Sequence, residues 1–213
     1  MANEVKLEVY IIRLRNSGDK SKFLPLHEFS HNTDFYNFFQ DYISSFDHKL
    51  ELNDSQKRSL KLDSNNLSLA GTDRMISGLI ESGDYRIESQ FINTTTGEKT
   101  KQRKIVDTEI KPFYFLMHLP PGDNKGFVIL QRLGVFGIQS IFKSHLTDFF
   151  KLKFPDLQLD FDPFVSRSLA QNFIENGDVK QFSLTRYNLP PDLADRLGMA
   201  GHNEDIMSIE LIV

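Results

Sequence analysis

A chain of 213 residues with 39% apolar and 25% charged side chains has ordinary globular composition, which excludes wholesale disorder. Its net charge of −4 and pI near 5.9 exclude the domain-wide basic balance of a non-specific nucleic-acid binder. The absence of cysteine excludes disulfides, thiolate metal sites and a cysteine nucleophile.

Residues 1–14 interleave charged and apolar side chains and hold no apolar signal-peptide core. No apolar run approaches the roughly 20 residues that span a bilayer, so the cytoplasm is the expected location. Val5, Leu7, Val9 and Ile11 alternate with their neighbours, which predicts a strand. Phe35, Phe38, Phe39, Tyr42, Ile43 and Phe46 recur at three- and four-residue spacing, which predicts a helix over 34–47 with Asn32 or Thr33 as its cap.

From 58 to 133 the pattern predicts strands. Segments 59–62 and 67–70 are expected on either side of a polar turn, Asp63-Ser64-Asn65-Asn66. Segments 75–81 and 85–93 flank Ser82-Gly83-Asp84, and Gly97 closes a hairpin onto 99–106. Segments 110–119 and 127–133 are nearly continuous apolar runs, so they are expected at the sheet centre with both faces covered, Pro112 marking a strand start. Gly134 and Gly137 then bracket the start of a helix over 137–152, whose apolar face carries Ile138, Ile141, Phe142, His145, Leu146, Phe149 and Phe150. After a strand at 157–161, Asp162-Pro163 reads as a cap and first helical residue, predicting a helix over 163–176 ended by Gly177. A strand over 179–187, a helical turn over 191–197 and an alternating segment over 205–213 complete the chain. The fold class is α+β, a large mostly antiparallel sheet packed by aromatic-rich helices. One domain over 1–213 is expected. The stop within an alternating segment suggests the N-terminal part of a longer polypeptide.

Three patterns carry candidate chemistry. His27-Glu28-Phe29-Ser30-His31 matches H-E-x-x-H, in which two histidines one helical turn apart bind zinc and the glutamate is the general base. That chemistry requires a helix, whereas Pro25 lies upstream and Asn32-Thr33-Asp34 looks like a helix start, so a polar connection is the simpler reading. Asp84 with Glu109 and Lys111 could imitate a magnesium nuclease of the PD-(D/E)xK kind. The simpler reading is a turn aspartate beside solvated strand-end charges. Lys99, Lys101, Arg103 and Lys104, with Arg86 across from them, make a basic hairpin. Lys99, Lys101 and Arg103 are expected on one face as a comb for phosphates or acidic groups, or as lysines that guard a sheet edge.

Two weaker signals complete the reading. The amides after Gly134-Val-Phe-Gly137, with Gln131 and Arg132 nearby, could receive an anion, but the lysine of a P-loop is missing. His145 on an apolar helix face is expected to be a hydrogen-bonded core residue. The function expected is therefore a non-catalytic interaction module that binds a protein partner or nucleic acid through the hairpin. Self-association is compatible with it, and no cofactor or membrane is involved. A zinc hydrolase and a magnesium nuclease are the alternatives. The general texture suggests a bacterial, phage-defence setting, with no residue behind it.

Overall fold

The computed structural model describes residues 4–19, 21–47 and 49–165, and the strands Gln181–Leu184 and Ile209–Ile212. The chain divides into two compact units, Met1–Phe164 and Val165–Val213.

The first unit runs β1 (Val5–Asn16), α1 (Phe35–Ser44), β2 (Glu51–Asn53), β3 (Arg58–Ala70), β4 (Met75–Asp84), β5 (Ser89–Ile92), β6 (Lys99–Arg103), β7 (Lys111–His118), β8 (Lys125–Leu133), β9 (Phe136–Gly137), α2 (Gln139–Lys153) and β10 (Leu157–Pro163). The main sheet has the order β10-β1-β8-β7-β4-β3-β2, with β9 hairpinned onto the end of β8, and every pairing is antiparallel. The α+β class, with a large antiparallel sheet, is thus what the chain adopts. α2 packs on both β10 and β3, which stand near opposite ends of the strand order, so the sheet curls around it.

The inward residues alternate as a pleated strand requires: Tyr10, Ile12 and Leu14 on β1, Phe113, Phe115 and Met117 on β7, Val128 and Leu130 on β8. The helices fill the concave side with rings. Phe39 lies 6.4 Å from Phe115 and 6.2 Å from Phe142, and Phe142 lies 6.2 Å from Phe161, centroid to centroid. Edge and tilted contacts at these distances favour such packing beyond area burial alone.

Several expectations are corrected. β7 and β8 are central, but alternate residues such as Tyr114, Leu116, Phe127 and Ile129 are only half-buried, so the helices cover one face rather than both. Asp63-Ser64-Asn65-Asn66 does not divide two strands. It forms a bulge within β3, where the pairing to β4 jumps between Asp63 and Ser68. Pro112 does stand at the start of its strand, as the second residue of β7. Tyr85 and Arg86 leave the strand, Arg86 with φ +63°, and β5 starts only at Ser89.

The cap of α1 also moves. Asp34 accepts the Tyr36 N–H at 2.8 Å, because Asn32 and Thr33 are already used in a turn. His31 and Asn32 both have positive φ (35° and 61°), and the Thr33 N–H reaches the Ser30 carbonyl at 2.6 Å, the geometry of a type I′ turn. Pro163 closes β10 instead of opening a helix. Residues 166–176 of that expected helix, and the helical turn at 191–197, lie outside the described residues. In the second unit, β11 (Gln181–Leu184) and β12 (Ile209–Ile212) pair antiparallel.

Candidate functional site

The concave face turns from apolar to polar at one end. Arg58 of β3, Ser82 of β4, Lys111 of β7 and Arg132 of β8 lie there beside the turn that opens α2. Arg58 donates from Nη1 to the Gly137 carbonyl at 2.7 Å and from Nη2 to Ser82 Oγ at 3.2 Å. Arg132 donates from Nε to the Gly134 carbonyl at 2.8 Å and from Nη1 to Glu8 at 3.1 Å. The Tyr10 hydroxyl donates to Glu8 at 2.7 Å; burial and that carboxylate push its pKa up, so it stays protonated. Glu8, Tyr10, Arg58 and Arg132 border an open cavity of about 350 Å³ that also touches Gln139 and Ser140. Both arginines point their donors at backbone carbonyls and hold the turn in place. Arg58 and Arg132 lie beside the turn that opens α2, and both have structural partners.

The nuclease-like residues converge near the same end. Ser82 pairs with Lys111 in the β4–β7 ladder, which sets the end of β4 beside the start of β7. Each carboxylate, however, already has a cationic partner. Asp84 faces Arg58 Nε at 3.4 Å, and Glu109 accepts from Lys111 Nζ at 2.7 Å. The Lys111 hydrogen bond, then its charge, holds the Glu109 carboxyl below its ordinary range. Lys111 also lies 4.8 Å over the Phe136 ring. Among the described residues no group of three histidine or carboxylate side chains could hold a metal ion.

The H-E-x-x-H segment takes the simpler reading, a polar connection into α1. It forms turns, not a helix, so His27 and His31 do not share a helical face, and both are exposed with Glu28. Leu26 and Phe29 explain the segment instead. Both are buried, and Phe29 meets Phe35, Phe150 and Phe154 at 4.9–6.0 Å.

The basic hairpin is a separate two-stranded sheet, β5 with β6. Gly97, with φ +74°, turns it, and the Asn93 carbonyl accepts the Gly97 N–H at 2.8 Å. Its base is pinned. Arg103 donates from Nη2 to the Asp84 carbonyl, Thr108 Oγ1 donates to the same oxygen at 3.0 Å, and the Arg86 N–H reaches the Ile105 carbonyl at 3.1 Å. Arg86 pairs with Asp54 at 3.0 Å, and the Tyr85 hydroxyl donates to the same carboxylate at 2.6 Å. Gly83 is needed at this junction, since a Cβ there would run into the Glu109 carbonyl.

The lysines do not form a single row. Phe91 pairs with Lys101, but the next residue, Ile92, pairs with Lys99, so Thr100 is an extra residue in β6. Opposed residues share a face and consecutive residues alternate. Lys101 with Phe91 therefore lies on one face, and Lys99 with Ile92 on the other. Arg103 belongs to the base, its side chain only 10% exposed. The side chains of Lys99, Lys101 and Lys104 are exposed and make no ion pair or hydrogen bond among the described residues. Phe91 and Ile92 beside them are 42% and 55% exposed.

Sequence reasoning missed Arg58 and Glu8 as members of the charged end. Nothing marks them locally, because their partners lie 79 and 124 residues away in the chain. His145 differs from expectation too. Its Nδ1 is buried with no hydrogen-bond partner among the described residues, and its ring packs 5.5 Å from Tyr42 and 5.4 Å from Phe46. Burial pushes its pKa down. No helix among the described residues is long and apolar enough to cross a membrane. No protein-family model matches the chain, and neither a curated protein nor a solved structure was found to be similar to it.

Proposed function

We propose that this chain is a non-catalytic docking module that binds a macromolecular partner through the β5–β6 hairpin. One observation carries the reading: Lys99, Lys101 and Lys104 are exposed cations without side-chain partners among the described residues, on and just beyond a ribbon whose base is held by Arg86, Arg103 and Thr108. The cations at the sheet end behind it, Arg58, Lys111 and Arg132, are all engaged. A pinned base presents the hairpin without a large ordering cost on binding, which favours recognition. The reading implies a cytoplasmic protein, and it includes no metal and no membrane. Nothing among the described residues speaks for a phage-defence role.

The test is charge reversal. Lys99→Glu/Lys101→Glu/Lys104→Glu and wild-type protein are each incubated with host extract, and bound protein and nucleic acid are identified. At least one species retained by wild type is expected to be lost from the variant at unchanged melting temperature. Identical sets on both proteins would contradict the reading.

A further inference from the structure

We infer that the free edge of β6 takes an extended acidic segment of a partner protein as a third strand of the hairpin sheet. This rests on the docking role of the hairpin and names the chemistry of what docks. Among the described residues the hairpin sheet has two strands, so β6 has an edge with no described strand beside it. Such an edge offers backbone donors and acceptors to an added strand.

Charge selects the partner. Residues 86–104 carry five cations, Arg86, Lys99, Lys101, Arg103 and Lys104, against Glu88 and Glu98, in a chain whose net charge is −4. The strip is a local basic exception in a chain of net negative charge, so it favours an acidic segment and disfavours a symmetric strip-to-strip contact between two copies.

The bulge separates a peptide from a nucleic acid. A phosphate backbone laid along one face of the ribbon would meet Lys99 or Lys101 but not both, because Thr100 sets them on opposite faces. An added strand alternates its side chains between the two faces. Two adjacent acidic residues on it would sit beside Lys101 on one face and Lys99 on the other. β-branched residues flanking the acidic pair favour the extended conformation that an added strand requires.

The probes are peptides of about six residues, an ordinary strand length, with a central Glu-Glu pair flanked by Val and Thr. One control has Gln-Gln in the centre, another is N-methylated at alternate amides, and a thymidine oligonucleotide of matching length represents nucleic acid. Binding to the full chain is read by fluorescence anisotropy. The acidic peptide is expected to bind, and the Gln-Gln control, the N-methylated control and the Lys99→Glu/Lys101→Glu variant each to lose about tenfold or more in affinity. Oligonucleotide binding that depends on Lys99 and Lys101, with no peptide binding, would overturn this inference and leave the docking reading standing. Peptide binding indifferent to Lys99 and Lys101 would overturn both. No binding by any probe would overturn the inference alone.

Discussion

Arg74 grips the Asp34 carboxylate at two points, Nη1 to Oδ2 at 2.6 Å and Nη2 to Oδ1 at 2.7 Å, across 40 residues of sequence. The same carboxylate caps α1 through the Tyr36 N–H, and Arg74 Nε donates to the Leu119 carbonyl at 3.1 Å. One ion pair thus joins the start of α1, the β3–β4 turn and the end of β7. Burial alone would raise the Asp34 pKa, but the Arg74 guanidinium and the Tyr36 amide outweigh it and hold the carboxyl below its ordinary range. A carboxylate depressed in the folded state contributes stability above its unfolded pKa of about 4, which is lost as pH falls through the folded value. Asp34→Ala removes the cap and leaves Arg74 without its partner. It is expected to cost about 1–3 kcal/mol at neutral pH and to flatten the acid limb of the stability curve below about pH 4, measured by urea unfolding across pH.

His145 titrates with the opposite charge change. Its folded pKa is depressed by burial against Tyr42 and Phe46, with Glu51 and Asp148 pulling upward and Lys49 downward. The neutral ring fits the fold, so its contribution is intact above the unfolded pKa of about 6.5 and is lost as pH falls toward the folded value. His145→Phe keeps a ring in the same aromatic surroundings and cannot charge. Melting temperatures at pH 7.5 and 5.5 (roughly one unit either side of the free-histidine pKa) are expected to differ less in the variant than in wild type.

The segment from Leu26 to His31 separates its two readings cleanly. A zinc site would make His27 and His31 sensitive, whereas the fold makes Phe29 sensitive. Phe29→Ala is expected to cost about 3–5 kcal/mol, and His27→Ala/His31→Ala to stay within about 0.5 kcal/mol per residue, by chemical denaturation. The purified protein is expected to bind no zinc at this segment by calorimetry.

Gly83 tests how the hairpin is carried. A Cβ at this position meets the Glu109 carbonyl beside the Thr108 hydroxyl, both part of the hairpin base. Gly83→Ala is expected to destabilise the protein by about 1–3 kcal/mol through overpacking. It is also expected to speed exchange of the Arg86 amide, whose bond to the Ile105 carbonyl closes the base.

Local periodicity made the aromatic stripe of α1, the helix α2 and the Gly97 hairpin readable from the residues alone, since each depends on neighbours within a few positions. The misses share one cause, a distant partner that overrides a local signal. Asp63-Ser64-Asn65-Asn66 looks like a turn, but β4 pairs on both sides of it and turns it into a bulge. Asp162-Pro163 looks like a helix start, but Tyr10 and Ile11 draw it into the β1 ladder. For the candidate site, the basic residues were legible. Their sorting into pinned Arg86 and Arg103 and, among the described residues, unpaired Lys99, Lys101 and Lys104 was not, because it depends on Asp54 and the Asp84 carbonyl. The Thr100 bulge that parts Lys99 from Lys101 was likewise invisible, as register shifts leave no periodic trace.

Hydrogen exchange of the chain, free and bound to a partner retained by wild type and lost on charge reversal, tests the docking role most directly. The account predicts slower exchange within Lys99–Arg103 on binding, with the core strands β7 and β8 unchanged. Protection confined to another surface, with the hairpin amides exchanging as in the free protein, would contradict it.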